Sequence, residues 1–151
     1  MPALADQPRV RLGAYGLCRD PAGRLLLARQ KWGGEAGRWG LPGGGVEWGE
    51  HPDVALRREL EEETGLTEFD SIRLAASYSH TYLRTGDRPF DSMQHVGFVY
   101  EVMPRRMDLR AEEDGSTDLC EWFTEAEARA LPLTPLGQFA IELTWPNSEQ
   151  S

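Results

Sequence analysis

Three glutamates, Glu59, Glu62 and Glu63, fall on one face of a predicted helix near the middle of the chain. Residues at i, i+3 and i+4 of a helix lie on the same side, so their carboxylates repel one another unless something holds them together. A divalent cation is the simplest such partner, because Mg²⁺ prefers oxygen ligands and binds between carboxylates and the phosphates of a substrate. The pattern therefore predicts metal-assisted chemistry on a phosphate-bearing substrate.

The three glutamates close a longer motif that begins at a glycine-rich run. Its fixed positions are occupied by Gly44, Glu50, Arg58, Glu59, Leu60, Glu62, Glu63, Gly65 and Leu66. This stretch resembles the Nudix box and matches every fixed position of it. The resemblance implies an α/β fold, the Nudix-type α/β/α sandwich with a mixed β-sheet. It also implies an enzyme, a Nudix hydrolase acting on phosphorus-containing anhydrides.

The resemblance to the Nudix box implies a metal centre. The implied ligands are Glu59, Glu62, Glu63 and a backbone carbonyl of the glycine run, which we place at Gly44. The implied ion is Mg²⁺, with Mn²⁺ as an alternative. Glu62 and Glu63 are also predicted to be catalytic. Without the resemblance, the alternative for the three glutamates is a solvated charged face.

Arg58 is not expected to contact the substrate. We predict instead that it holds a carboxylate of the motif, such as Glu50, in place. The base that deprotonates water is left open, since members of the superfamily use either a glutamate of the box or an acid in a later loop. In order of preference, the later candidates are Asp114, Glu113 and Asp118. For each of them the alternative is a loop acid without a catalytic role.

Contacts to the substrate must come from outside the motif. The basic candidates for phosphate contacts are Arg29, Lys31 and Arg38, for each of which a surface charge is the alternative. Tyr78, His80 and Tyr82 alternate along a predicted strand, so they share one face of it. We predict that Tyr78 and Tyr82 stack a nucleobase; the alternative is a half-buried aromatic strand. His95 carries no strong signal.

Apolar and turn patterns predict the order of the remaining elements. Strands are expected at 9–19, 24–29, 69–82, 93–103 and 119–123, with short pieces at 39–41 and 45–47. Helices are expected over 51–64, from the capping box at Thr124 to about Leu131, and from Thr134-Pro135 onward. In the last helix Phe139, Leu143 and Leu136 are expected to face inward.

The chain has 151 residues with 40% hydrophobic content, which indicates one globular domain. We predict a flexible tail over 1–8, a single domain over 9–145 and a second flexible tail over 146–151. It is expected to be a monomer or a homodimer. Two cysteines, Cys18 and Cys120, do not make a disulfide framework and are expected to be buried free thiols.

The charge and hydropathy of the chain limit its partners. A net charge of −9 argues against a duplex nucleic acid, which needs a basic surface. No apolar run approaches the length of a membrane span, and the N-terminus lacks the pattern of a signal peptide. We therefore expect a small-molecule nucleotide as partner, no nucleic acid, no membrane and a cytoplasmic location.

The function predicted from these features is a Mg²⁺-dependent pyrophosphohydrolase. Its substrate would be a nucleoside triphosphate, or a nucleoside diphosphate linked to a small moiety. Two alternatives stay open: a non-catalytic nucleotide-sensing Nudix domain, and a hydrolase of ADP-ribose or dinucleoside polyphosphates. The intact motif favours an enzyme. An isomerase acting on an allylic diphosphate is disfavoured, because no motif places a cysteine in the site.

Overall fold

The computed structural model describes residues 5–31, 33–84, 91–110 and 117–147. The strands in these ranges are β1 (Arg9–Cys18), β2 (Leu25–Gln30), β3 (Trp39–Gly40), β4 (Gly43–Gly45), β5 (Phe69–Tyr82), β6 (Met93–Pro104) and β7 (Thr117–Phe123). The helices are α1 (Pro52–Thr64), α2 (Glu125–Arg129) and α3 (Pro135–Thr144), and a single 3-10 turn spans Gly33–Glu35. Every predicted helix and strand is present, except that the short strand expected at 45–47 lies at Gly43–Gly45 instead. None of the helices in the described ranges has the length and apolar character that a membrane span requires.

The strands form two sheets. The first has the order β4-β1-β6-β5, in which β1 pairs parallel with β6 and antiparallel with β4, and β5 pairs antiparallel with β6. The second has the order β3-β2-β7 and is antiparallel throughout. The predicted mixed sheet is therefore confirmed, and the structure adds a separate antiparallel sheet beside it.

Side chains of β1 alternate between two hydrophobic cores, one on each face of the sheet. Tyr15 and Leu17 enter the core that α3 covers, whereas Ala14 and Cys18 enter the core that α1 covers. The sheet thus lies between helices, which confirms the α/β/α sandwich. Cys18 is buried and Cys120 is partly buried, and both are free thiols.

Helix α1 begins and ends where its sequence predicts. The Nδ1 atom of His51 accepts a hydrogen bond of 3.1 Å from the backbone N–H of Asp53, which caps the first turn. Pro52 occupies the first helical position, where its missing N–H costs nothing. Gly65 ends the helix with a left-handed φ of 78°, and its N–H donates to the carbonyl of Glu61. These local signals fix the start and the end of the helix that carries the three glutamates.

Helix α3 lies unusually close to β3. Thr134 caps it by accepting a hydrogen bond of 3.0 Å from the N–H of Gly137. A Cβ added to Gly137 would lie only 2.3 Å from the carbonyl oxygen of Trp39, so the absence of a side chain permits the contact. Leu136 is buried as predicted, but Leu143 is 40% exposed, so its predicted inward position is wrong. With Gly137 against β3, the helix face that includes Ala140 and Ile141 is turned inward, and Leu143 stays partly exposed to solvent.

We expect Gly137→Ala to destabilise the protein by roughly 1–3 kcal/mol, because the added methyl group would force α3 away from β3. This cost should exceed the gain in helix propensity of about 1 kcal/mol that alanine brings. Gly34→Ala is the control, since its added methyl group would have no atom within 4 Å. Urea denaturation followed by tryptophan fluorescence compares the two. A loss for Gly137→Ala no larger than that for Gly34→Ala would contradict the packing argument.

Candidate functional site

Two of the three glutamates predicted as metal ligands lie against the backbone of β4. A Cβ added to Gly44 would fall 2.6–2.8 Å from the carboxylate atoms of Glu59, so this carboxylate occupies the space of the missing side chain. The carboxylate of Glu63 accepts a hydrogen bond of 3.2 Å from the N–H of Gly43. Glu63 is only 2% exposed. The carboxylates of Glu59 and Glu63 therefore contact the backbone of the glycine run directly.

Strand β4 reaches this position because it approaches β1 more closely than a side chain would allow. Gly43 pairs with Tyr15 and has a φ of 142°, a conformation that favours glycine. A Cβ at this position would lie 2.2 Å from the carbonyl oxygen of Ala14. The glycine run is thus required both by the sheet and by the helix that packs over it.

The side chain of Arg58 forms hydrogen bonds to the segment before α1, to a carboxylate on α1 and to β4. Its guanidinium donates to both carboxylate oxygens of Glu50, at 3.0 and 2.9 Å, and to the carbonyl of Gly45 at 3.1 Å. It also donates to Glu59 at 2.9 Å. These hydrogen bonds from Arg58 hold the pKa of Glu50 down at about 2. Arg58 therefore holds Glu50 as predicted, and it orients Glu59 as well.

Glu62 is the least constrained of the three glutamates. Its side chain is 50% exposed, and its carboxylate lies 3.7 Å from the Arg58 guanidinium. Among the side chains that the structure describes, no three acids, histidines or cysteines converge on one point as a ready metal cage.

The donors at this junction nonetheless fit a hard cation. Carboxylates of Glu59 and Glu63 and the carbonyls of β4 offer only oxygen, which is the ligand type of Mg²⁺ and Mn²⁺. The bare Gly44 lets the Glu59 carboxylate pack against the backbone of β4, beside these carbonyls. The chemistry of the donors agrees with the predicted metal centre.

An open cleft of about 440 Å³ lies between the end of β5, the turn Gly33–Glu35 and the start of α3. Its polar and aromatic lining includes Glu35, Arg38, His80, Tyr82, Thr134 and Gln138. The Tyr82 hydroxyl donates to Glu35 at 3.5 Å, and Arg38 donates to the carbonyl of Leu133 at 3.2 Å. The structure thus brings together Arg38 and Tyr82, two of the residues predicted to contact substrate.

Tyr78 and Arg29, which were also predicted to contact substrate, lie outside the cleft. Tyr78 is 7% exposed and packs its ring against His95 and Phe139, with ring centroids 5.6 and 5.3 Å apart. It belongs to the core, which matches the alternative of a half-buried aromatic strand rather than a platform for a base. The Arg29 guanidinium lies over the ring of Trp39 at 5.7 Å. Neither side chain lines the cleft.

The three acids predicted as candidates for the general base fall in or next to the segment 111–116. Glu113 and Asp114 lie outside the described residues, and of Asp118 only the backbone within β7 is described. Sequence reasoning also missed a polar contact beside the site, in which the Tyr15 hydroxyl and the Nε2 atom of His95 lie 2.7 Å apart. No local pattern joins two residues so far apart in the chain, although the alternation of Arg11, Gly13 and Tyr15 marks one strand face.

Comparison with known proteins decides the family. The NUDIX domain model matches residues 9–143 of the chain. The chain belongs to the NUDIX family. Among solved structures it resembles the MutT NUDIX hydrolase from Burkholderia pseudomallei, with a TM-score of 0.74 and 31% identity, covering 91% of this chain and 98% of that one. The predicted recognition and fold class are both confirmed.

Curated relatives of this Nudix chain include hydrolases of two kinds. It is 29% identical over 132 residues to an RNA pyrophosphohydrolase of Caulobacter vibrioides, covering 78% of this chain and 73% of the relative. It is 34% identical over 123 residues to the NAD-capped RNA hydrolase NudC of Mycobacterium tuberculosis, covering 82% of this chain but only 36% of that relative. The chain is a Nudix hydrolase acting on phosphorus anhydrides, as predicted. Nudix hydrolases generally depend on a divalent metal ion.

We expect Gly44→Ala to weaken Mn²⁺ binding by roughly 10-fold or more, because the added methyl group displaces the Glu59 carboxylate. Gly45→Ala is the matched control, since its methyl group would lie 3.8 Å or more from the nearest atoms. Mn²⁺ affinity measured by electron paramagnetic resonance separates the two variants without relying on turnover. Equal Mn²⁺ affinity in both would show that the Glu59 carboxylate does not need this space.

Proposed function

We propose that this Nudix hydrolase is a Mg²⁺-dependent pyrophosphohydrolase. It cleaves the diphosphate of a nucleoside triphosphate, or of a nucleoside diphosphate linked to a small moiety, and Mn²⁺ is the alternative ion. One observation gives the proposal its main support. The complete motif is folded so that the carboxylates of Glu59 and Glu63 rest on the glycines of β4, with Arg58 anchoring the junction.

In this proposal the ligands of the ion are the carboxylates of Glu59, Glu62 and Glu63 and the carbonyl of Gly44. A bound Mg²⁺ neutralises phosphate oxygens and lowers the pKa of a bound water. Glu63 keeps its position through the N–H of Gly43, whereas Glu62 is released from its long contact with Arg58. Glu62 and Glu63 are the proposed catalytic carboxylates, as the match to the complete motif implies. The chain thus contributes positioning and electrostatics, on which phosphoryl transfer mainly depends.

We assign the nucleoside to the cleft beside β5. Tyr82 offers a ring for stacking, His80 packs edge-on against it with centroids 4.5 Å apart, and Arg38 brings a positive charge. Stacking tolerates any base, because every base has a π-face. Arg29 and Tyr78 have packing partners elsewhere, and we assign no substrate contact to them.

RNA with a 5′-terminal triphosphate is the second candidate substrate. It is favoured by the relatives named RNA pyrophosphohydrolase and NAD-capped RNA hydrolase. The net charge of −9 argues against binding a duplex, but the end of a single strand presents the same triphosphate as a free nucleotide. The expectation that no nucleic acid binds is therefore restricted to duplexes.

A panel of substrates assayed with Mg²⁺ tests the proposed function. The panel contains nucleoside triphosphates, sugar nucleotides, ADP-ribose, NADH, a dinucleoside polyphosphate and a triphosphate-ended RNA oligomer. Released phosphate is read with and without added phosphatase. We expect the highest kcat/KM for a triphosphate or a sugar nucleotide. A 100-fold preference, about 2.7 kcal/mol, for ADP-ribose, NADH or the dinucleoside compound would overturn the substrate class.

Glu62→Gln and Glu63→Gln are the controls for that panel. Each keeps the size of the side chain and removes one charge, so each should lower kcat by roughly 10²-fold while the circular dichroism spectrum stays unchanged. Near wild-type turnover in both variants would refute the assignment of these carboxylates. If the wild type itself hydrolyses none of the substrates, the nucleotide-sensing alternative is favoured.

The general base is proposed to lie in the later acidic segment. A base contributes typically 10²–10⁴-fold, so one of Asp114→Asn, Glu113→Gln and Asp118→Asn should lower kcat within that range. We expect the largest loss for Asp114→Asn. The pH dependence of kcat/KM should lose its acidic limb in the same variant. If all three variants lose less than about fivefold, the base belongs to the motif itself.

A further inference from the structure

The face of the first sheet opposite α1 carries a transverse row of glycines. Gly45, Gly13 and Gly97 are direct partners across β4, β1 and β6, and Tyr78 continues the row on β5. The ring of Tyr15 lies over this row. A Cβ on Gly13 would be 2.5 Å from the Tyr15 hydroxyl, and one on Gly97 would be 3.3 Å from its ring. The bare backbone therefore lets the Tyr15 ring lie flat along the sheet.

This placement brings the Tyr15 hydroxyl 2.7 Å from the Nε2 atom of His95. The His95 ring stands edge-on to the rings of Tyr15 and Tyr78, with centroids 5.4 and 5.6 Å away, so its plane is held on two sides. Burial raises the pKa of Tyr15 to about 12 and lowers the pKa of His95 to about 4. Both groups are therefore neutral at pH 7, and the imidazole has one donor and one acceptor nitrogen.

The hydrogen bond selects which nitrogen of His95 carries the proton. Within the described residues, Nε2 is the hydrogen-bond partner of the Tyr15 hydroxyl. If the phenol accepted from Nε2–H, its own proton would be left without an acceptor in a side chain that is 8% exposed. The satisfied arrangement has Tyr15 donating to Nε2 and the His95 proton on Nδ1. A free neutral imidazole prefers the opposite tautomer.

His95 connects Tyr15 to His80. It pairs with Arg11 on β1 and with His80 on β5, so the three side chains form a row across the same sheet face. Tyr15 is close enough to Glu63 and Glu59 to feel their charges, and His80 lines the cleft. Nδ1 of His95 makes no hydrogen bond within the part of the chain that the structure describes.

We propose that Tyr15 is a positioning residue that fixes His95 with its proton on Nδ1, and that this Nδ1–H donates a hydrogen bond to an acceptor oxygen of the bound nucleotide. The inference rests on the proposed function for its ligand. Arg11, next to His95 in the row, is also a donor, so this position fits an oxygen and disfavours an amino group. The oxygen belongs to a phosphate, to the sugar or to a base carbonyl, and the test separates these sources.

The tautomer is tested first, without nucleotide or turnover. In ¹⁵N-labelled protein the ring nitrogens of His95 should report a proton on Nδ1. Tyr15→Phe should shift the signal toward Nε2–H while the far-ultraviolet spectrum and the melting temperature stay close to those of the wild type. A wild-type His95 protonated on Nε2, or a pattern unchanged by Tyr15→Phe, overturns the positioning role.

The donor is tested with two amide replacements of His95. His95→Asn places its NH₂ group near the former Nδ1, whereas His95→Gln places its amide near the former Nε2. Calorimetry with Ca²⁺ measures the binding of GTP, ATP and inorganic tripolyphosphate. We expect His95→Gln to weaken binding of at least one ligand by roughly tenfold and His95→Asn by less than about threefold. Unchanged binding of all three ligands by His95→Gln overturns the donor role.

The three ligands identify the oxygen. A loss for all of them points to a phosphate oxygen, and a loss for GTP and ATP alone points to the sugar. A loss for GTP alone points to the base carbonyl that ATP lacks. Tyr15→Phe should weaken the same ligand several-fold in the wild type and by less than about twofold in His95→Asn, because the asparagine needs no tautomer to be selected. An equal loss in both backgrounds would make Tyr15 merely structural and overturn its positioning role.

Failure of this inference is distinguishable from failure of the proposed function. If nothing in the substrate panel is hydrolysed while the tautomer and the binding losses are as expected, the hydrolase proposal fails and the donor assignment stands. If hydrolysis is found while His95 carries its proton on Nε2, the donor assignment fails alone.

Discussion

The guanidinium of Arg58 is the interaction on which the site depends. It is a planar fork of five donors that stays charged at every physiological pH, and here it reaches two carboxylates and one backbone carbonyl at the same time. A lysine in its place would bring a single point charge and could not hold Glu50 with two parallel bonds. Because Arg58 bonds both to Glu50 before α1 and to Gly45 in β4, it ties the start of the helix to the strand. Its hydrogen bond to Glu59 also orients the carboxylate that packs beside Gly44.

Much of this junction could be predicted from sequence because its determinants are local. The caps of α1, the spacing of the glutamates and the partner of Arg58 all lie between Gly43 and Gly65, where periodicity and turn residues operate over a few positions. The fold class followed from the same stretch through its family resemblance. The position of the Glu62 carboxylate near Arg58 was not predicted, because it concerns a half-exposed side chain whose direction no spacing rule sets.

The cleft that we assign to the nucleoside could be predicted only in part, because it is assembled from residues remote in the chain. Period-two alternation correctly put Tyr78 and Tyr82 on one strand face, yet it does not say which part of that face lies beneath α3. Tyr78 packs against Phe139 of α3, whereas Tyr82 lines the open cleft. Leu143 illustrates the same limit in a helix, since the close contact of Gly137 with Trp39 decides which side faces inward. Tyr15 and His95 meet only because β1 and β6 are parallel neighbours.

The parallel pairing of β1 with β6 also sets an order of events during folding. The glycine strand and the glutamate helix are close in sequence, so their contacts close a short loop and can form early. Strand β1, in contrast, finds its partner only after most of the chain is available, since Arg9 pairs with Met93. Pairings of such high contact order are slow to form. During synthesis on a ribosome the glycine strand and α1 can therefore meet before β6 has been made, and the parallel pairing of β1 with β6 follows later.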